Sequence, residues 1–249
     1  MIDLPWTTLL GAALIVTLAY TVYGLTGFGA AIVGIPLLAH FFPLRFAVPM
    51  MLVFDVCTGA LLGLRHRRSL DRPEMLRLLP WLLAGMLAGV TLLVHASERW
   101  LLLVLGCFVI VYSAWSLLNK RPPSTVSPRW AVPAGLVGGA FTSLYGTGGP
   151  IYAIYLARRL SNKDLLRATM GTLVFGTALV RVLMFTVSGF YRQTGLLLLG
   201  FALLPCALLG YWLGSRLHAR IDTKRATQLV WLLLLCGGTS LILRSLRGA

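Results

Sequence analysis

Two glycine clusters are spaced for anion chemistry: Gly24-Leu25-Thr26-Gly27-Phe28-Gly29 and Tyr145-Gly146-Thr147-Gly148-Gly149-Pro150. Each interrupts a long apolar run, 5–42 in the first case and 130–157 in the second, and glycines so clustered break a helix. A helix restarting after such a break exposes backbone N–H groups without partners. Its dipole adds partial positive charge at the same point. Two such ends facing each other form an anion site without a charged side chain. The candidate binding residues are therefore Thr26, Gly27, Phe28 and Gly29 with Tyr145, Gly146, Thr147, Gly148 and Gly149. Thr26 and Thr147 would add hydroxyl donors, Tyr145 a phenol. Taken singly, each glycine has a plainer reading, close helix packing. A side chain at Gly148 is expected to block the approach of an anion.

Two ionisable residues lie deep in apolar runs, Asp55 and Arg181. A charge at the centre of a membrane helix costs on the order of 3 kcal/mol on insertion scales, so both are functional candidates. At ~1.5 Å of rise per residue, Asp55 lies about 14 Å and Arg181 about 10 Å from the outer ends of their segments. Similar depths allow a salt bridge. The alternative is that Arg181 borders an anion path, outside the first shell of contacts or at its edge, while Asp55 carries a proton. His40 and His95 fall near segment ends and are expected at the interface.

These residues sit in a chain that is 58% hydrophobic and only 12% charged, where soluble domains carry roughly 25% charged residues. The 22 Lys+Arg against seven Asp+Glu give a net charge of +15. The bases form short clusters between apolar runs, the pattern of membrane proteins rather than of nucleic-acid binders. The N-terminus lacks the basic stretch of a secretory signal and reads as a retained membrane segment. Cys57, Cys107, Cys206 and Cys236 lie within apolar segments without C-x-x-C spacing, and behave as small hydrophobes. No metal or cofactor is expected, and a nucleotide-binding Gly-x-x-x-x-Gly-Lys loop is absent from the sequence. With no His-Glu-x-x-His and no nucleophile beside a base, an enzyme is disfavoured.

The elements that must position the breaks repeat. Gly27-Phe28-Gly29 returns 119 residues later as Gly146-Thr147-Gly148, and Pro80-x4-Gly85-x3-Gly89 returns 125 residues later as Pro205-x4-Gly210-x3-Gly214. Small-residue helix contacts account for the second pattern alone, but two matches in one order indicate a tandem repeat. Its halves are 1–118 and 130–249, joined by the Pro- and Ser-rich linker 119–129. If each long run is a hairpin returning to its starting side, one side collects 16 of the 22 Lys+Arg and the other five, with Arg181 between. Eight simple crossings leave no bias. The positive-inside rule therefore favours hairpins, basic loops in the cytoplasm and halves of opposite orientation. The expected fold is an all-α polytopic membrane protein of two inverted repeats. Each repeat is a Gly-broken, re-entrant helical hairpin followed by three transmembrane helices. Paired broken helices in inverted repeats are the architecture of secondary transporters.

The two halves, the Gly-x-Gly break of the first and Gly146-Thr147-Gly148-Gly149-Pro150 of the second resemble the TauE/SafE family of sulfite and organosulfonate exporters over essentially the whole chain. Where that family often has a run of glycines, this sequence has Gly29-Ala30-Ala31. The resemblance implies a multi-pass protein of the bacterial inner membrane. It implies export of a small sulfur-containing anion, coupled to the proton gradient. Uptake, or a non-sulfur anion, remains the alternative. The expected partners are the anion and membrane lipid, with no nucleic acid; a homodimer stays open.

Overall fold

A computed structural model describes residues 5–26, 29–65, 70–118, 126–160, 162–193, 195–217, 235, 237–243 and 245. Among them are nine α-helices with defined bounds, a further helical stretch at 237–243, two short 3-10 turns (Pro128–Trp130 and Phe190–Arg192) and no strand. The helices are α1 (Trp6–Thr26), α2 (Ala30–Leu38), α3 (Leu44–Arg65), α4 (Arg72–His95), α5 (Glu98–Leu118), α6 (Ala131–Tyr145), α7 (Gly149–Arg159), α8 (Lys163–Val187) and α9 (Leu196–Leu217). Five of them, α1, α4, α5, α8 and α9, contain segments long and apolar enough to cross a membrane. Helix α3 is of similar length but carries Arg45, Asp55 and Arg65. Leu14, Leu87, Val111, Leu183 and Phe201 project outward, as lipid-facing side chains do. Trp6, Trp100 and Trp130 are exposed at helix starts, where interfacial aromatics belong.

Several helices start earlier than the apolar runs suggest, because their first turns are polar. Helix α4 begins at Arg72 behind Asp71, whose carboxylate accepts from the Glu74 N–H at 2.9 Å. That is an N-cap followed three residues later by an acid. Helix α3 begins at Leu44, whose N–H donates to Glu98 Oε1 at 2.9 Å. Arg45 in turn donates to the Leu93 and Ala96 carbonyls at the end of α4. His40 and His95 are both exposed near helix ends, and His40 meets Ser240 Oγ at 2.8 Å. Cys57, Cys107 and Cys206 carry free thiols; Cys236 lies outside the described residues.

The element boundaries recur at the spacing of the first motif. Helix α1 ends at Thr26 and α6 at Tyr145; α2 starts at Ala30 and α7 at Gly149; α3 starts at Leu44 and α8 at Lys163. All three pairs are 119 residues apart. The packing crosses between the halves: α1 lies against α9, and α6 against α4. A side chain on Gly210 or Gly214 would collide with the Thr17 or Thr21 carbonyl of α1, and one on Gly85 or Gly89 with the Leu136 or Ala140 carbonyl of α6. Thr17 and Leu136, like Thr21 and Ala140, are again 119 apart. The same backbone-to-backbone approach is thus made twice.

After each break the chain doubles back. Gly34 of α2 sits beside Ala19 of α1, and Phe41 beyond α2 reaches Gly11 near the α1 start. In the second half Tyr152 of α7 lies level with Gly138 of α6. Helices α3 and α8 run antiparallel, with Asp55 level with Arg181 and Gly59 level with Phe175.

Candidate functional site

The breaks are built by backbone that only glycine adopts readily. Gly29, before α2, has φ 97, and Gly146, after α6, has φ 70; both lie in the left-handed region that a Cβ disfavours. Helix α6 closes on Gly146, whose N–H reaches the Thr142 carbonyl at 2.9 Å, and Thr147 N–H reaches Phe141 O at 3.2 Å. Helix α7 then opens behind Gly148, with Pro150 in its first turn.

The two restarts converge on one cavity of ≈ 30 Å³, room for about two or three waters at the ~10–15 Å³ that each requires. Its wall includes Gly29, Ala30 and Ala31 from the first break and Gly146, Thr147, Gly149 and Pro150 from the second. Tyr23, Thr142, Tyr152 and Thr177 add polar groups, and Asp55 and Arg181 complete the lining. The two N-termini contribute unequally. The first N–H groups of α2 are orphans by helix geometry. In α7, Pro150 has no N–H, and Ile151 N–H is already bonded to Gly148 O at 3.0 Å.

Arg181 is buried and incompletely matched. Its Nη1 lies 3.3 Å from Asp55 Oδ2, longer than the ~2.7–2.9 Å of a strong charge-assisted bond. Its guanidinium stands 5.5 Å from the Phe185 ring centroid and packs beside Gly146. Among the described residues, Arg181 Nε, Arg181 Nη2 and Thr147 Oγ1 are buried without a hydrogen-bond partner. Asp55 is better held: Tyr20 donates its hydroxyl to Oδ1 at 2.7 Å.

Of the residues singled out from sequence, Gly29, Gly146, Thr147, Gly149, Asp55 and Arg181 meet at this cavity. Arg181 stands in its wall. Tyr145 is turned away, its phenol donating to Leu101 O at 2.8 Å. Gly148 serves the hairpin itself: a Cβ there would strike Thr142 Oγ1 and the Gly138 carbonyl, forcing α7 off α6. Gly27 and Phe28 lie outside the described residues, as does the Thr26 side chain. Sequence reading missed Tyr23, Thr142, Tyr152 and Thr177, whose polar tips occur singly in apolar helices.

It also missed a second ionic cluster, centred on Glu74. This buried carboxylate accepts from Tyr155 Oη at 2.5 Å, from Arg159 Nη2 at 2.6 Å and Nε at 3.0 Å, and from Arg77 Nη1 at 2.8 Å. Arg159 Nη1 also reaches Val126 O at 3.2 Å. The signal available was Asp71-x-x-Glu74, an acid pair at a helix start in a chain with few acids.

An outward apolar girdle, spanning-length helices and two interrupted helices around a small polar cavity define a multi-pass membrane protein. The chain belongs to the sulfite exporter TauE/SafE family, whose model matches residues 12–241. A probable inner membrane transporter protein, TsaS, from Comamonas testosteroni is 26% identical over 194 residues, covering 77% of this chain and 81% of that protein. No solved structure matches the chain. Family and relative together place it among membrane transporters.

Proposed function

We propose that the protein is a secondary transporter that exports a small sulfur-containing anion of the sulfite or organosulfonate class across a bacterial inner membrane. In this reading the cavity is the anion site and lies near the membrane midplane. One observation carries it: buried donors on Arg181 and Thr147 lack acceptors where two helix N-termini meet. A buried donor without a partner is destabilising by about 1–3 kcal/mol, and an anion in the cavity removes that penalty. Arg181, Thr147, Gly149 and the N–H groups at the start of α2 are its ligands. Asp55 couples the cycle to protons. Because Asp55 competes for Arg181, the anion is not held too tightly for release.

The inverted-repeat reading, with 1–118 and 130–249 as halves and 119–129 as a cytoplasmic linker, is supported by three features. Equivalent boundaries recur 119 residues apart, the glycine contacts of the halves mirror each other, and α3 opposes α8. The hairpins are supported by the return of Phe41 to Gly11. In a cysteine-free background, single cysteines at Ser69, Ser124, Asn162 and Thr223 should label from the cytoplasm, and one at Gln193 from outside. Outside labelling at 162 would remove the hairpins.

The functional test is binding to purified protein across sulfite, thiosulfate, sulfoacetate, sulfate and phosphate. A sulfur oxyanion or a sulfonate should bind, and Arg181→Gln should abolish that binding. Preference for phosphate would overturn the substrate class. A ligand-bound structure with the anion more than about one helix turn (~5.4 Å) from both breaks would overturn the site.

A further inference from the structure

The contact between Asp55 and Arg181 fixes which way a proton and an anion influence each other. Resting on the reading of the cavity as the anion site, we propose that Asp55 is a tethered stand-in for the substrate. The anion takes its place on Arg181 only as Asp55 takes up a proton, so anion and proton bind together and travel in the same direction.

The reasoning is charge counting in a confined space. Among the described residues Arg181 is the one guanidinium lining the cavity, with its side chain 4% exposed, and Asp55 is 13% exposed. The other groups facing Asp55 are Tyr20 and Tyr23 of α1, Tyr152 of α7 and Tyr191 of the 190–192 turn, with Tyr211 of α9 behind Tyr23. Among the described residues, no second cation or carboxylate lines the cavity. The empty site, with Asp55 ionised on Arg181, is therefore neutral. Adding a monoanion leaves one uncompensated buried negative charge, a costly state. Moving a solvent proton onto Asp55 Oδ2 restores neutrality and frees Nη1. Nη1 then joins Nη2 and Nε, which already lack an acceptor, as a donor open to a ligand. Both carrier forms, empty and loaded, are neutral, which suits passage through a low-dielectric interior.

The geometry also opposes the rival arrangement, in which proton and anion exclude each other. That requires protonation to weaken anion binding, although a proton only adds positive charge to the site. An arginine does not deprotonate in proteins, and Asp55, the one acid lining the cavity among the described residues, competes with the anion rather than binding it. Export then runs down the anion's own gradient. An inward proton gradient opposes it instead of driving it.

The probes are ethanesulfonate and methanesulfonate, monoanions that do not titrate in the neutral range. Calorimetry in buffers of different ionisation enthalpy should show about one proton taken up per anion bound by the wild-type protein. Affinity should rise about tenfold per unit fall in pH while Asp55 is ionised in the empty site, then level off. Asp55→Asn should bind both probes independently of pH, at least as tightly as the wild type at low pH, with no proton uptake. Tyr20→Phe removes a donor that favours the ionised carboxylate, and should move the affinity midpoint to higher pH. Binding without proton uptake, or with proton release, overturns the linkage while the site stands. An Asp55→Asn protein that keeps the wild-type melting profile but binds neither probe also overturns it, since Asp55 would then be a direct ligand. Wild-type protein that binds neither probe nor any of the anions in the panel overturns site and linkage together.

Discussion

Among the described residues, two carboxylate–arginine clusters are built to opposite specifications. Glu74 is saturated by donors from Tyr155, Arg77 and Arg159, at 2.5–3.0 Å. Asp55 and Arg181 touch once, at 3.3 Å, and Arg181 keeps two idle donors. The first joins α4 to α7, and so one half of the chain to the other. A network in which each polar atom is matched rigidifies; one left incomplete is unstable unless something else completes it. The difference separates a fastening from a site: Glu74 has nothing left to offer a ligand, whereas Arg181 does.

Breaking the open contact should have the largest effect. Arg181→Gln is expected to lower anion affinity more than a hundredfold, measured by binding, with stability little changed once Asp55 is also made Asn. The double variant Asp55→Asn, Arg181→Gln should remain inactive in vesicle transport. Recovery of transport in it would mean that the pair is only structural, and the comparison would collapse.

Breaking the saturated contact should do the reverse. Glu74→Gln leaves Arg159 unmatched, and losing one partner of a fully buried pair is destabilising by about 3–5 kcal/mol. Arg159 and Arg77 are partly exposed, at 26% and 49%, so about 1–3 kcal/mol is expected after solvent screening. Thermal melts should show that loss, while anion affinity in the folded fraction stays within about twofold. A tenfold fall in affinity at unchanged melting temperature would make Glu74 part of the site.

Smaller changes sharpen the contrast. Thr147→Ala removes one neutral hydroxyl from the cavity, worth roughly 0.5–1.5 kcal/mol, so titration should show affinity falling a few-fold. Tyr155→Phe removes one of several donors on Glu74. It should lower the melting temperature by the least of all, with no effect on binding. Gly148→Val belongs with the structural changes: its collision with Gly138 should reduce folded yield, seen by size-exclusion chromatography, before any effect on binding is measurable.

The sequence disclosed these regions unevenly, for physical reasons. Asp55 and Arg181 stood out because charges are scarce in apolar runs and costly there. The breaks stood out because glycine clusters do not continue a helix. Tyr23, Tyr152, Thr142 and Thr177 gave no such signal. Whether a lone hydroxyl faces lipid, protein or a cavity depends on the rotation of its helix, and the crossing partners set that rotation. Glu74 was hidden by its setting, since an acid beside a basic loop looks solvated until α7 brings Tyr155 and Arg159 to it. Tyr145 misled for a related reason: adjacency to the break in sequence did not aim its phenol there, because Leu101 offers it a carbonyl.

The crossed packing of α1 on α9 has a consequence for how the chain is made. Helix α1 leaves the ribosome well before its principal partner, and Gly210 and Gly214 do not exist until α2 to α8 have been synthesised. Helix α1 must wait in lipid. It is equipped to do so, since Thr17 and Thr21 on the face that α9 will cover donate their hydroxyls to Ala13 O and Thr17 O of their own helix. Helix α6, by contrast, emerges to find α4 already in place. The crossing of α6 on α4 is therefore free to close before α9 is made, and that of α1 only afterwards. A chain truncated before Leu196 would leave α1 unseated, however well its remaining helices had assembled.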